Sequence, residues 1–109
     1  MREGLYRVAF HNVHGAGGGV IYVGRGKLRG GNSAFAFIGS YTVSGDEISA
    51  KVSTRRHTDD PTFKQLFDSD EVTLVLKGRV NGDAVDFEGT ALHLPGVTFK
   101  SMITMIEAD

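Results

Sequence analysis

Alternation of apolar and polar residues, cut at short intervals by turn residues, constrains this chain most. In Tyr6-Arg7-Val8-Ala9-Phe10-His11, residues Tyr6, Val8 and Phe10 share one face while Arg7, Ala9 and His11 share the other. That is the pattern of a half-buried strand. The same period of two marks residues 20–23, 35–43, 48–56, 72–80, 85–93 and 97–106, and a shorter strand over 25–29 completes a set of eight. Gly24-Arg25-Gly26, Ser44-Gly45-Asp46, Asn81-Gly82-Asp83 and Pro95-Gly96 are turn signals between them, with Asn81-Gly82 expected to form a type I′ hairpin. Short hairpins join sequence neighbours antiparallel, so the chain should run as an up-and-down meander. At 109 residues it has length for one domain, 1–109, and too little for two.

Glycine decides how the meander closes. There are fifteen glycines and two prolines, and Gly39, Gly78 and Gly89 each fall on the apolar parity of a strand. A strand without an inward side chain bends sharply there, which is how a sheet coils into a small barrel. The expected fold is all-β: an eight-stranded antiparallel up-and-down barrel, lipocalin-like, with a two-sheet sandwich as the alternative. One segment departs from strand patterning. Asp60-Pro61 supplies a cap and a first helical turn, and Phe63, Leu66 and Phe67 follow at i, i+3 and i+4. A short helix between strands five and six is therefore predicted, packed on one end of the sheet.

Charge and cysteine content exclude several function classes. Twelve Lys and Arg against thirteen Asp and Glu leave a net charge of −1, so no wholesale grip on nucleic acid or on an anionic membrane is expected. The absence of cysteine removes disulfides, thiolate nucleophiles and Cys-bound zinc together. The start, Met1-Arg2-Glu3-Gly4-Leu5-Tyr6, lacks the apolar run of a signal peptide, and no stretch approaches a membrane span. A soluble, cytoplasmic protein is expected.

The order of motifs resembles a known family. Gly4-Leu5-Tyr6-Arg7-Val8-Ala9-Phe10 is followed by Gly17-Gly18-Gly19, Gly30-Gly31, Gly39-Ser40-Tyr41, Arg56-His57, Phe87-Glu88-Gly89-Thr90-Ala91 and Pro95-Gly96-Val97-Thr98-Phe99. This order is similar to the GrlR-like family, lipocalin-like barrels related to a negative regulator of a bacterial type III secretion system. The resemblance implies a non-enzymatic regulatory module that sequesters a protein partner such as a transcription activator. Its partner-binding acidic stretch falls here on Ser44-Gly45-Asp46-Glu47, making Asp46 and Glu47 the implied contacts. Where the family often carries Asp after the paired glycines, this chain has Asn32.

Sorting the strand ends gathers His11, His14, His57 and His93 on one rim, together with Arg56, the 12–16 loop and the helix. No histidine pair stands at i, i+2 or i, i+4, so no metal or other cofactor is expected. The opposite rim carries the turns near 25, 45 and 82 and both termini. By parity Arg56 and His93 point inward beside Ser101 and the aromatics Tyr6, Tyr22, Phe35, Phe37, Tyr41, Phe87 and Phe99. An apolar barrel with a few convergent polar groups describes a small-molecule site, provided side chains do not fill it. Arg56, His93, Tyr6 and Tyr41 are its candidate ligand contacts, with Arg56 placed for an anion or else paired with Asp59 or Asp60 at the barrel end. Gly15-Ala16-Gly17-Gly18-Gly19 lacks the Lys-Ser/Thr of a phosphate loop and reads as a flexible turn. Arg25, Lys27 and Arg29 form a basic stripe without interleaved aromatics, a solvated edge more than a nucleic-acid groove. No nucleophile elbow occurs, and no catalytic residue is expected. Leu5, Ile21, Val23, Ile38, Val75, Met102 and Ile106 fall on the outward parity. Of these, Leu5, Met102 and Ile106 lie on the first and last strands, a candidate face for a second copy or a protein partner.

Overall fold

The computed structural model describes residues 1–60 and 70–109. It is all-β: eight strands, β1 (Gly4–Asn12), β2 (Gly15–Gly24), β3 (Lys27–Gly31), β4 (Phe35–Ser44), β5 (Glu47–Arg56), β6 (Glu71–Asn81), β7 (Ala84–Ala91) and β8 (Leu94–Ala108). Each pairs antiparallel with its sequence neighbours, and β8 returns to β1, giving a closed barrel. Closure leaves no unpaired edge strand. The sandwich alternative is thereby set aside. No helix occurs among the described residues; the segment predicted as a helix, carrying Phe63, Leu66 and Phe67, lies outside them.

The hairpins explain the tight winding. Arg25-Gly26 takes φ of 54° and 76°, positive at both central positions as a type I′ turn requires. Gly45-Asp46 and Gly82-Asp83 have a positive φ only at the glycine, 62° and 63°, the type II′ arrangement. Asn81 therefore closes a strand pair with Ala84 and does not enter the turn, contrary to the type I′ expectation. Each of these turns is also bonded to the next hairpin. The carbonyls of Gly26, Asp46 and Asp83 accept from the backbone N–H groups of Tyr41, Val80 and Met105 at 2.9, 3.0 and 2.9 Å. The result is a rigid lower rim.

Three local expectations are corrected. Residues 15–19 are not a flexible turn but the first half of β2, paired through Val8↔Gly19, Ala9↔Gly18, Phe10↔Gly17, His11↔Ala16 and Asn12↔Gly15, with the turn on Val13-His14. That register opposes Tyr6 to Ile21, and directly opposed residues share a face. Ile21 and Val23 are consequently buried and Tyr22 is 42% exposed, the reverse of the predicted parity. On β8, Pro95-Gly96 is not the hairpin turn. The turn is Leu92-His93, and the jump from Ala91↔Leu94 to Thr90↔Thr98 places residues 95–97 in a bulge. His93 is accordingly exposed in a turn and does not point inward.

Candidate functional site

The barrel is sealed at one end and hollow above. Val23, Ile48 and Val85 are fully buried at the lower end, beside Tyr6. The Tyr6 hydroxyl donates to the Arg2 carbonyl at 2.5 Å, and burial pushes this phenol's pKa above its ordinary value. Met1, Tyr41, Val80 and Met105 pack around this floor. Above it lies a cavity of about 350 Å³, within the range that holds small molecules.

The cavity exists because three rings lie against glycines on the wall. A Cβ built on Gly17 would stand 2.6 Å from Cε1 of Phe10, and one on Gly78 would stand 2.5 Å from Cε1 of Phe87. A Cβ on Gly19 would stand 2.9 Å from Cε2 of Phe37, and also 2.5 Å from the Gly31 carbonyl oxygen of the neighbouring strand. Each glycine lets a ring fold flat onto the sheet, so the lumen is not filled across its width. Phe10 then meets Phe37 edge-on at 5.8 Å and Phe99 at 5.6 Å, favourable aromatic separations. Phe10, Phe35, Phe37, Phe87 and Phe99 all line the cavity, with aliphatic side chains between them.

Polar groups in the lining are few. His14, Asn32, Thr54 and Ser101 are the polar side chains among the described lining residues, and no Asp, Glu, Lys or Arg is among them. The Asn32 amide is already committed. Its Oδ1 accepts from the N–H groups of Ala34 and Phe35 at 2.9 Å each, and its Nδ2 donates to the Gly18 carbonyl at 2.7 Å. This ties the β3–β4 connection to β2 beside the cavity.

None of the four predicted ligand contacts, Arg56, His93, Tyr6 and Tyr41, is among the described lining residues. Arg56 lies outside the lining: its Nε donates to Asp70 at 2.8 Å, and its guanidinium sits 4.5 Å from the centroid of the Phe35 ring. It lies over a ring that lines the cavity, and it forms an ion pair with Asp70 rather than the expected one with Asp59 or Asp60 among the described residues. Tyr6 belongs to the floor and Tyr41 packs with it. Ser101 does line the cavity, between its register partners Phe10 and Phe87. The four histidines do share a rim, with His14 and His93 in turns there and His57 bonded through Nε2 to the Asn32 carbonyl region at 3.0 Å. Among the described residues no group of three or more His, Asp or Glu could hold a metal ion.

The outer surface divides by chemistry. Across β5 to β8 the register sets Glu47 against Arg79, Arg79 against Asp86, Lys77 against Glu88 and Glu88 against Lys100, a patchwork of alternating charge. Glu47 accepts from Arg79 at 3.3 Å, both side chains well solvated, and Asp46 is exposed in its turn. Across β8, β1 and β2 the exposed residues include Leu5 at 36%, Met102 at 43% and Ile106 at 51%, with Tyr22 opposite Leu5. Ile106 is the extra residue of the bulge between Leu5↔Glu107 and Tyr6↔Met105. Tyr22 donates to the Asp109 carboxylate, and this hydrogen bond pushes the phenol's pKa up. The basic stripe is dispersed: Arg25 is in a turn with its N–H on Glu3, while Arg29 donates to the Leu28 and Gly39 carbonyls.

No helix among the described residues is long and apolar enough to cross a membrane. No protein-family model matches the chain, and no curated protein matches it.

Proposed function

We propose that the barrel binds a small, largely apolar molecule in its lumen, as a carrier or sensor and not as an enzyme. The supporting observation is the cavity of about 350 Å³, aromatic-walled and standing on a sealed floor. In this reading the architecture is used as lipocalin-like barrels use theirs, with ligand inside and strands as a rigid cup. Burying apolar ligand surface against five phenylalanines supplies the driving force. Native mass spectrometry of the untagged protein from its own cells tests this. A mass raised by a few hundred daltons supports it, and an unliganded lumen that also takes up no apolar probe overturns it.

A second reading keeps the chain as a GrlR-like regulator, cytoplasmic and bacterial, that sequesters a protein such as a transcription activator. The exposed Leu5, Met102 and Ile106 favour it, since a barrel needs no apolar exterior. Asp46 and Glu47 would contribute polar contacts, and a homodimer through the same apolar strands is the simplest assembly. A second polypeptide retained in the native mass supports this reading, and a bare monomer at all concentrations counts against it.

A further inference from the structure

We infer that the lumen selects an uncharged, planar molecule of two fused rings with hydrogen-bonding groups on separate edges, read by the hydroxyls of Thr54 and Ser101. The inference rests on the lumen-binding reading above and adds the ligand's class.

Size comes first. An apolar cavity of about 150 Å³ accommodates benzene, and this one, at about 350 Å³, is a little over twice that. In its lining, the ring of Phe10 meets Phe37 edge-on and Phe99 at a tilt, so the wall offers aromatic contacts in more than one orientation to a planar guest.

The described walls disfavour a charged guest. No Asp, Glu, Lys or Arg stands among the described lining residues, and Arg56, the nearest candidate for an anion, is held on Asp70 outside the lining. A carboxylate or ammonium in this lumen would lose hydration with no Asp, Glu, Lys or Arg among the described lining residues to replace it.

The polar selection falls to two side chains. Thr54 lies on β5 between Phe37 and Val72, and Ser101 lies on β8 between Phe10 and Phe87. Both line the cavity, and neither hydroxyl has a hydrogen-bond partner among the described residues. No buried side-chain nitrogen or oxygen among the described residues lacks a partner, so these two hydroxyls open onto the lumen and are not sealed in its wall. Two open hydroxyls on strands that do not pair with each other call for a guest that brings donors or acceptors at two places.

Calorimetry with 2,6-dihydroxynaphthalene, naphthalene and 2-naphthoate tests this, with toluene as the small apolar control. The expected order is dihydroxynaphthalene, then naphthalene, with 2-naphthoate at least about tenfold weaker than either. Thr54→Val and Ser101→Ala, which keep shape, should each weaken dihydroxynaphthalene about fivefold and leave naphthalene unchanged. Thr54→Ser should retain binding. Preference for 2-naphthoate, or indifference of dihydroxynaphthalene to both variants, overturns the inference. Toluene uptake without any bicyclic binding overturns it while leaving the lumen reading intact; no uptake of any probe overturns both.

Discussion

Phe10 and Gly17 form a registered cross-strand pair in which the ring of one occupies the space where the other would carry a Cβ, 2.6 Å from that position. The pair couples wall to lumen. The glycine bends nothing by itself; it gives the ring a bed on the sheet, and the ring in turn holds the edge-on contact with Phe37. Gly17→Ala must therefore push Phe10 inward. The expected outcome is a loss of about 1–3 kcal/mol in urea unfolding and weaker uptake of naphthalene. Unchanged stability and uptake would show that the ring has room to retreat elsewhere.

Floor and lumen should respond differently to truncation. Ile48 is fully buried in a packed layer, so Ile48→Ala is expected to remove about 2–5 kcal/mol. Ser101→Ala, facing the cavity, should change stability by less than about 0.5 kcal/mol. Chemical denaturation of the two variants side by side checks the contrast, and equal losses would mean that the cavity is not open as described.

Asn32 tests whether its amide chemistry is needed. Oδ1 accepts two backbone N–H groups and Nδ2 donates to Gly18. Asn32→Asp keeps the acceptor and sets a carboxylate oxygen against the Gly18 carbonyl. A loss of about 1–3 kcal/mol is expected, with Asn32→Ala losing at least as much. An Asp variant as stable as the parent would mean that the Gly18 contact contributes nothing.

Much of the architecture was legible in the alternation of β1, β4, β5 and β6, where side chains mark each face and Gly45 and Gly82 mark the turns. Legibility failed on β2 for a physical reason. Residues 15–19 present almost no side chains, so nothing in them shows which face is which, and Tyr22 reads as an inward aromatic although the register sets Tyr6 opposite Ile21 and leaves Tyr22 outside. Pro95-Gly96 misled because a bulge and a hairpin turn draw on the same residue types. The cavity was only half visible. Inward aromatics were countable, but whether they fill a lumen depends on which glycine each ring meets, and that is fixed by register between distant residues. Parity alone turns Ser101 toward the lumen, whereas a lone threonine on a strand carries no signal of its own, and Thr54 is not legible as a lining residue.

Alkaline pH should expose the floor. Burial raises the Tyr6 pKa, with Arg2 acting in the opposite direction. A phenol ordinarily titrates near pH 10, so in the unfolded chain Tyr6 ionises there while the folded protein keeps it protonated. The associated stability is complete below about pH 10 and is lost as pH rises from there through the folded value. Tyr6→Phe should flatten that decline and also remove the hydrogen bond to Arg2, at about 0.5–1.5 kcal/mol at neutral pH. Ultraviolet titration of the phenolates, with thermal unfolding from pH 8 to 11, checks both parts.

The outer apolar face can be tested without disturbing the lumen. Met102 and Ile106 project outward from β8, and Leu5 from the adjoining β1, each between a third and about half exposed. None of the three lines the cavity. Met102→Lys combined with Ile106→Lys therefore adds two desolvation penalties to any interface formed there and none to the core. If β8 and β1 form a dimer face, native mass spectrometry should find the parent at twice the chain mass and the double variant at the single mass, with naphthalene uptake equal in both. Glu47→Gln serves as the control on the charged side. The solvated Glu47–Arg79 pair should alter stability by under about 0.5 kcal/mol and leave the dimer in place. A parent that is monomeric throughout, or a double variant that stays dimeric, removes this face from consideration.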